Sequence, residues 1–206
     1  EKFTIAPAQR VDLIIEDCAQ LKYLLETSTK KKLKAAQFDP IIKEAPYLKT
    51  TNKFPYYNLS NPYEAKIVHI HMQGGAMGNL SGAFFDGEER SLRDLAINES
   101  KLWAFNRKVG GYELNLADVS LGDFVNLRVW NDTSWPHAMH LHGQHFWVDS
   151  KEFGKETRGV LRDTYLMAPG ETAELVFIAD NPGLWLFHCH ALEHHAGGMG
   201  GVISIS

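Results

Sequence analysis

Trp185-Leu-Phe-His188-Cys189-His190-Ala-Leu-Glu193-His194-His195-Ala-Gly-Gly-Met199 is the stretch that decides how the chain is read. Its first half is aromatic and apolar, as a buried strand is. Side chains alternate faces along a strand, so Cys189 points opposite to both His188 and His190. One short segment thus offers ligand atoms to two sites on opposite sides of the backbone. Beyond His190, Gly197 and Gly198 predict a turn that brings His194 and Met199 back toward the thiol.

A second segment supplies the partners: Trp135-Pro136-His137-Ala-Met-His140-Leu-His142-Gly143-Gln-His145-Phe146. His140 and His142 share one face of an extended chain, and His137 has the opposite parity. The economical pairing sets His137 beside Cys189, and His140 and His142 beside His188 and His190. With His194 and Met199 added, the first site holds two imidazoles, a thiolate and a weak axial thioether. That is the blue-copper electron-transfer arrangement. The second site holds four histidines, a set that suits copper, zinc or iron. The covalent neighbourhood of Cys189 with His188 and His190 favours copper, because it gives electrons a short through-bond path between the sites. A lone histidine is ordinarily a surface or core residue. Here eight of the ten histidines fall in two short windows, which argues for ligation.

Outward from these segments the chain reads as β. Short apolar or β-branched runs at Phe3–Ile5, Val11–Ile15, Tyr23–Glu26, Ala65–Met72, Leu102–Asn106, Phe124–Trp130, Met139–Val148, Ala173–Ile178, Leu184–Cys189 and Gly201–Ile205 are separated by turn residues. That spacing predicts an all-β sandwich or barrel. Lys30–Lys32 reads as a solvated turn, Pro40–Pro62 as a linker, Gly74–Gly87 as a glycine-rich loop and Ser91–Ala96 as a short helical turn. The 206 residues carry a net charge of −4, which leaves no basic footprint for nucleic acid, and no run is apolar enough to span a membrane. With no initiator Met and no export signal at Glu1, the chain reads as a processed or excised piece. Its two cysteines do not make a disulfide framework, and Cys18 reads as a buried thiol.

These segments resemble the two C-terminal copper signatures of multicopper oxidases, the group that contains laccases and cuprous oxidases. The residues carrying the likeness are the His-x-x-His-x-His of His137, His140 and His142, and the His-Cys-His-x-x-x-His-x-x-x-x-Met of His188 to Met199. Gly74-Gly-Ala-Met-Gly78, Trp103-Ala-Phe-Asn106, Arg162-Asp-Thr164, Pro169-Gly-Glu171 and Asp180-Asn-Pro-Gly183 look like bacterial, laccase-like members. The resemblance implies a cupredoxin-like Greek-key β-sandwich over residues 63–206. Residues 1–62, opening with Ala6-Pro-Ala-Gln-Arg10-Val-Asp12, would be the end of a preceding cupredoxin domain plus a linker. It implies type 1 copper on His137, Cys189, His194 and Met199, type 2 copper on His140, and the type 3 pair on His142, His188 and His190. It further implies O2 and a small reducing substrate (a phenol, aromatic amine or metal ion), an N-terminal cupredoxin domain that completes the trinuclear cluster, and a periplasmic or extracellular location.

Several residues depart from that pattern or lie outside it. His195 stands where many relatives carry a carboxylate that feeds protons to the cluster. Asn106-Arg107 replaces the more usual Asn-Gly. His69, His71, Met72 and Met77 form either a peripheral soft-metal cluster or plain strand surface and loop. His145 reads as a packed or hydrogen-bonding histidine near the Cys189 site, and Glu193 as a partner of a ligand histidine or a solvated helix residue. The alternative function is an electron carrier holding type 1 copper alone, but such a module has no use for His140, His142, His188 and His190.

Overall fold

The computed structural model describes residues 3–11, 22–26, 32–37, 65–150 and 161–206. The chain divides into two compact units, Val11–Asn58 and a larger one made of Glu1–Arg10 with Leu59–Ser206. In the smaller unit, β1 (Tyr23–Glu26) and β2 (Leu33–Gln37) pair antiparallel. The expected strand at Val11–Ile15, the buried thiol at Cys18, the turn at Lys30–Lys32 and the linker at Pro40–Pro62 fall mostly or wholly outside the described residues.

The larger unit is a sandwich of two five-stranded sheets. Its strands are β3 (Lys66–Gly74), β4 (Gly82–Phe85), β5 (Glu88–Ser91), β6 (Trp103–Phe105), β7 (Asn115–Val119), β8 (Phe124–Asp132), β9 (His137–Leu141), β10 (Trp147–Ser150), β11 (Thr164–Met167), β12 (Thr172–Ile178), β13 (Gly183–Cys189) and β14 (Gly200–Ile205). One sheet has the order β10-β12-β8-β3-β6 and the other β11-β9-β13-β14-β7. Sequence neighbours are seldom sheet neighbours, and β3 runs parallel to β8 as β14 does to β7. This is the crossed, Greek-key-like connectivity of a cupredoxin-like sandwich, as the sequence leads one to expect.

Alternation along the strands builds the core. Val125, Leu127 and Val129 of β8 and Ala173, Leu175 and Phe177 of β12 meet Met139, Leu141, Phe187, Cys189 and Ile203 from the facing sheet. All are almost or wholly buried. Burying the Val, Leu, Ile, Phe and Met side chains among them is worth roughly 1.5–3 kcal/mol each. The site strands are therefore held by the main core rather than by a peripheral loop. Two short helices, α1 (Leu92–Asn98) and α2 (Leu192–Ala196), complete the unit. Ser91 caps α1 by accepting a hydrogen bond from the Asp94 amide, and Leu95 drives into a satellite cluster with Leu80, Ala83 and Ala104.

Three sequence expectations change. Phe3–Ile5 is not a strand; its two large side chains are half exposed and the backbone is irregular. The glycine-rich stretch Gly74–Gly87 is not all loop, because β4 and β5 form a hairpin there. Its turn is Asp86–Gly87, both at positive φ, the Asp-Gly signal for a tight two-residue hairpin. The single strand expected over Met139–Val148 is two strands in different sheets, with the chain crossing between them after Leu141. Gly143 makes that crossing, with φ +66 and the Trp185 ring where a Cβ would sit. Strands β7 and β11, and β2 in the smaller unit, add to those read from the sequence.

Candidate metal centre

Cys189 ends β13, and His137 opens its neighbour β9. The two strands pair with Cys189 opposite Met139 and His188 opposite His140. The pleat then turns Cys189 and His137 inward and His188 and His140 outward. After His190 the chain makes the short helix α2 and returns. The Met199 amide donates to the His194 carbonyl at 3.0 Å, and the Cys189 amide donates to the Met199 carbonyl at 3.1 Å. That loop brings His194 over the thiol. Cys189 Sγ lies 3.6 Å from His194 Nδ1, which lies 3.0 Å from His137 Nδ1. The donor atoms of His137, Cys189 and His194 all fall within 4.8 Å of one another, so this group could hold a metal ion. Met199, fully buried, packs in the same core cluster as Cys189.

Trp103 of β6 roofs the group. Its ring stands 4.9 Å from that of His137 and 4.6 Å from that of His194. The amides of Leu102 and Trp103 both donate to the Gly197 carbonyl, clamping the end of α2 to β6. A Cβ on Gly197 would meet the indole at 2.8 Å, which explains the glycine. Burial governs the ionisation of the donors. It pushes the His137 imidazole down to about 3, aided by His194, and pushes the Cys189 thiol up to about 11. His194 is lowered too, chiefly by burial. At neutral pH the group is thus two neutral imidazoles facing a neutral thiol. A buried donor set of two imidazole nitrogens and one thiol sulfur, with a buried thioether close by in the core, fits copper.

On the outer face, four histidine rings gather. His142 Nε2 and His188 Nε2 are 3.0 Å apart. His140 is 4.6 Å from His142 between ring centres and 5.6 Å from His190, and His190 is 5.4 Å from His188. His188 is buried, which lowers it to about 4; its Nδ1 hydrogen bonds to the Cys189 carbonyl at 2.9 Å. A carbonyl only accepts, so Nδ1 carries the proton and the Nε2 lone pair faces His142. His140 Nδ1 is held at 2.9 Å by both the Asp163 carbonyl and the Thr164 hydroxyl, which puts the proton on Nδ1 and the lone pair on Nε2. Arg10 reaches from the opening segment to bind the Asp163 carboxylate at 2.5 Å. His190 is half-buried and His142 exposed.

The structure thus gathers the eight histidine, cysteine and methionine positions of the two signatures onto two faces of the β9–β13 pair and the loop that follows it. It does not assemble His69, His71, Met72 and Met77. Met72 is fully buried, Met77 is 82% exposed, and His71 stacks on Trp130 at 4.3 Å with its Nε2 on Asp132. Strand alternation sends Met72 and His71 to opposite faces. His145 is exposed, not packed by the Cys189 group, because the crossing at Gly143 ends the strand parity that its placement assumed. Glu193 is exposed on α2. His195 lies 4.5 Å from the His188 ring and, with Tyr112 and Lys101, lines a shallow cleft. Asn106 and Arg107 both adopt positive φ in a tight turn, and the Asn106 side chain bridges the backbones of His69 and His71. Trp103, Thr133, Asn131, Asp163 and Thr164 surround the two sites. Sequence reasoning gave them no role, although Trp103 and Arg162-Asp-Thr164 lie in segments that carried the resemblance.

Known proteins place this geometry. The multicopper oxidase family profile matches residues 88–206. An iron multicopper oxidase of Mycosarcoma maydis is 30% identical over 113 residues, 48% of this chain and 18% of that protein. A multicopper oxidase of Mycobacterium tuberculosis is 35% identical over 85 residues, 41% of this chain and 16% of that protein. The solved multicopper oxidase of Campylobacter jejuni, described as a metallo-oxidase, superposes with a TM-score of 0.55 at 28% identity, covering 72% of this chain and 32% of its own. The match spans less than a fifth of the curated relatives. The family profile covers both signatures and every strand of the sandwich from β5 onward, and this chain belongs to the multicopper oxidase family.

Proposed function

We propose that this chain is the copper-binding C-terminal portion of an oxidase that couples one-electron oxidation of a small reducing substrate to reduction of O2. The observation that carries the reading is the convergence of His137, Cys189 and His194 within 4.8 Å, one residue away from a second, all-histidine face. His137, Cys189, His194 and Met199 would hold type 1 copper. His140 would hold type 2 copper, and His142, His188 and His190 the type 3 pair. Copper bound at these positions would supply one-electron oxidation on the Cys189 side and reduction of O2 to water on the histidine side.

The chain's own groups do the rest. Cys189 gives up its thiol proton on binding a cation, and the neutral imidazoles offer lone pairs without first losing a proton. His194 is half-buried whereas His137 and Cys189 are fully buried, so its edge is where a small reductant exchanges electrons. The backbone joining Cys189 to His188 and His190, bridged by the His188 hydrogen bond to the Cys189 carbonyl, forms a short covalent path between the faces. A simple electron carrier would leave the four-histidine face without a role. By family likeness, residues 63–206 are the last cupredoxin domain and residues 1–62 the end of the preceding one plus a linker. An N-terminal cupredoxin domain would cover the histidine face, and the protein would work in the periplasm or outside the cell. Among the described residues no helix is long and apolar enough to cross a membrane.

The test is copper loading followed by visible absorption, EPR and metal analysis. An intense blue band with narrow copper hyperfine splitting is the expected result. A colourless protein, or one that takes up zinc and no copper, would overturn the ligand assignment.

A further inference from the structure

We propose that Thr133 is a positioning residue for the Cys189 centre: its hydroxyl oxygen accepts a hydrogen bond from the Nε2–H of His137 and so fixes the imidazole with its Nδ1 lone pair turned toward His194 and the thiol. The inference rests on the reading of His137 as a copper ligand. It is carried by a closed set of hydrogen bonds in the loop joining β8 to β9. Asn131 is fully buried, and its Nδ2 donates to two carbonyls, that of Ala168 at 2.7 Å and that of Trp135 at 2.9 Å. Both contacts need the amide nitrogen, so the orientation of the side chain is set and Oδ1 faces Thr133 as a pure acceptor. Thr133 Oγ1 lies 2.7 Å from that oxygen. Two oxygens that close, one of which cannot donate, require the threonine hydroxyl to give its single proton to Asn131.

The remaining contacts of the Thr133 oxygen must then be donors. The Trp135 amide is one, at 3.2 Å, and His137 Nε2 is the other, at 2.8 Å. If the hydroxyl proton turned instead to the Trp135 carbonyl at 3.1 Å, it would still be committed to an oxygen, and His137 Nε2 would still have to donate. Either way the proton of the neutral ring sits on Nε2, and Nδ1, 3.0 Å from His194 Nδ1, is the nitrogen left to bind a cation. His137 and Thr133 are both almost fully buried, so water does not compete for the bond. A histidine ligand whose far N–H is held this way is fixed in tautomer and ring angle, and is a stronger donor.

Thr133→Val and Thr133→Ser, compared in the full chain, test the idea. Valine removes the acceptor, and copper affinity, read by chelator competition against the blue band, should fall about 10–100-fold. The reduction potential should rise, since a less basic imidazole stabilises Cu(II) less. Serine keeps the hydroxyl and should restore both values. Wild-type affinity and potential in Thr133→Val would overturn the proposal while the copper reading stands. A wild-type chain that stays colourless would instead overturn the ligand reading on which it rests. Should Thr133→Val fail to fold, long-range 1H–15N NMR of the copper-free wild type decides: the proton of His137 is expected on Nε2, and a proton on Nδ1 would sink the idea.

Discussion

Cys189 and His188 are consecutive residues, yet they belong to regions built on different terms. The Cys189 group is closed: the thiol and the His137 ring are fully buried, Trp103 lies over both imidazoles, and the Gly197 clamp fastens the returning loop. The histidine face is open: His188 is buried, but His190 is half-buried and His142 exposed. The contrast comes from the pleat. One side of β13 points into the space between two sheets, which the chain fills by itself. The other side points out of the sandwich, where His142 stays exposed and His190 half-buried.

Four measurements test that contrast. The largest effect expected is on colour: Cys189→Ser abolishes the blue band of the copper-loaded chain, whereas His190→Ala or His142→Ala leaves it. Blue absorbance surviving in Cys189→Ser would place the type 1 centre elsewhere. The second concerns O2: this chain alone should consume it negligibly in an oxygen-electrode assay with a phenolic substrate, and vigorous turnover would mean that the open face completes itself, for instance between copies. The third probes the roof. Trp103→Ala removes an indole from over both imidazoles and should cost about 3–5 kcal/mol. That lowers the melting temperature by on the order of 10 °C in a chain of this size. An unchanged melting curve would mean that the lid is not part of the closed region's stability.

The fourth and smallest is a pH effect on the metal-free chain. Burial holds His137 and His188 at about 3 and about 4 in the folded state, against an ordinary 6.5. Below pH 6.5 the unfolded chain takes up protons that the folded chain refuses, so stability is full above that pH and is lost as pH falls. The loss should be on the order of 1–2 kcal/mol per histidine at pH 5. A melting temperature that rose between pH 7.5 and pH 5 would contradict the burial of both rings.

The side-chain placement of the candidate ligands was legible because two rules are strictly local. Alternation on a strand separated Cys189 from His188 and His190, and the Gly197-Gly198 pair announced the return of His194 and Met199. The same rule failed at His145, because it holds only while the strand lasts and Gly143 carries the chain into the other sheet. The Asp86–Gly87 hairpin signal was masked by the glycines around it. Strands such as Asn115–Val119 and Thr164–Met167 were harder to see, since their pairing with β14 and β9 is decided by partners distant in sequence. Thr133, Asn131 and Trp103 were illegible as parts of the site for the same reason: their importance lies in which atoms they meet, and nothing in residue type or spacing announces that.

The clamp between β6 and the end of α2 has a consequence in time. Trp103 and Gly197 lie on segments far apart in the sequence, and β6 belongs to the sheet opposite the one that bears Cys189. Contacts of such long range form late, because the intervening chain must first be ordered. His137 and Cys189 likewise come from strands that are not consecutive, so the three donors cannot converge in a single strand or an isolated hairpin. During refolding with copper present, colour would therefore appear only once β9 and β13 have paired.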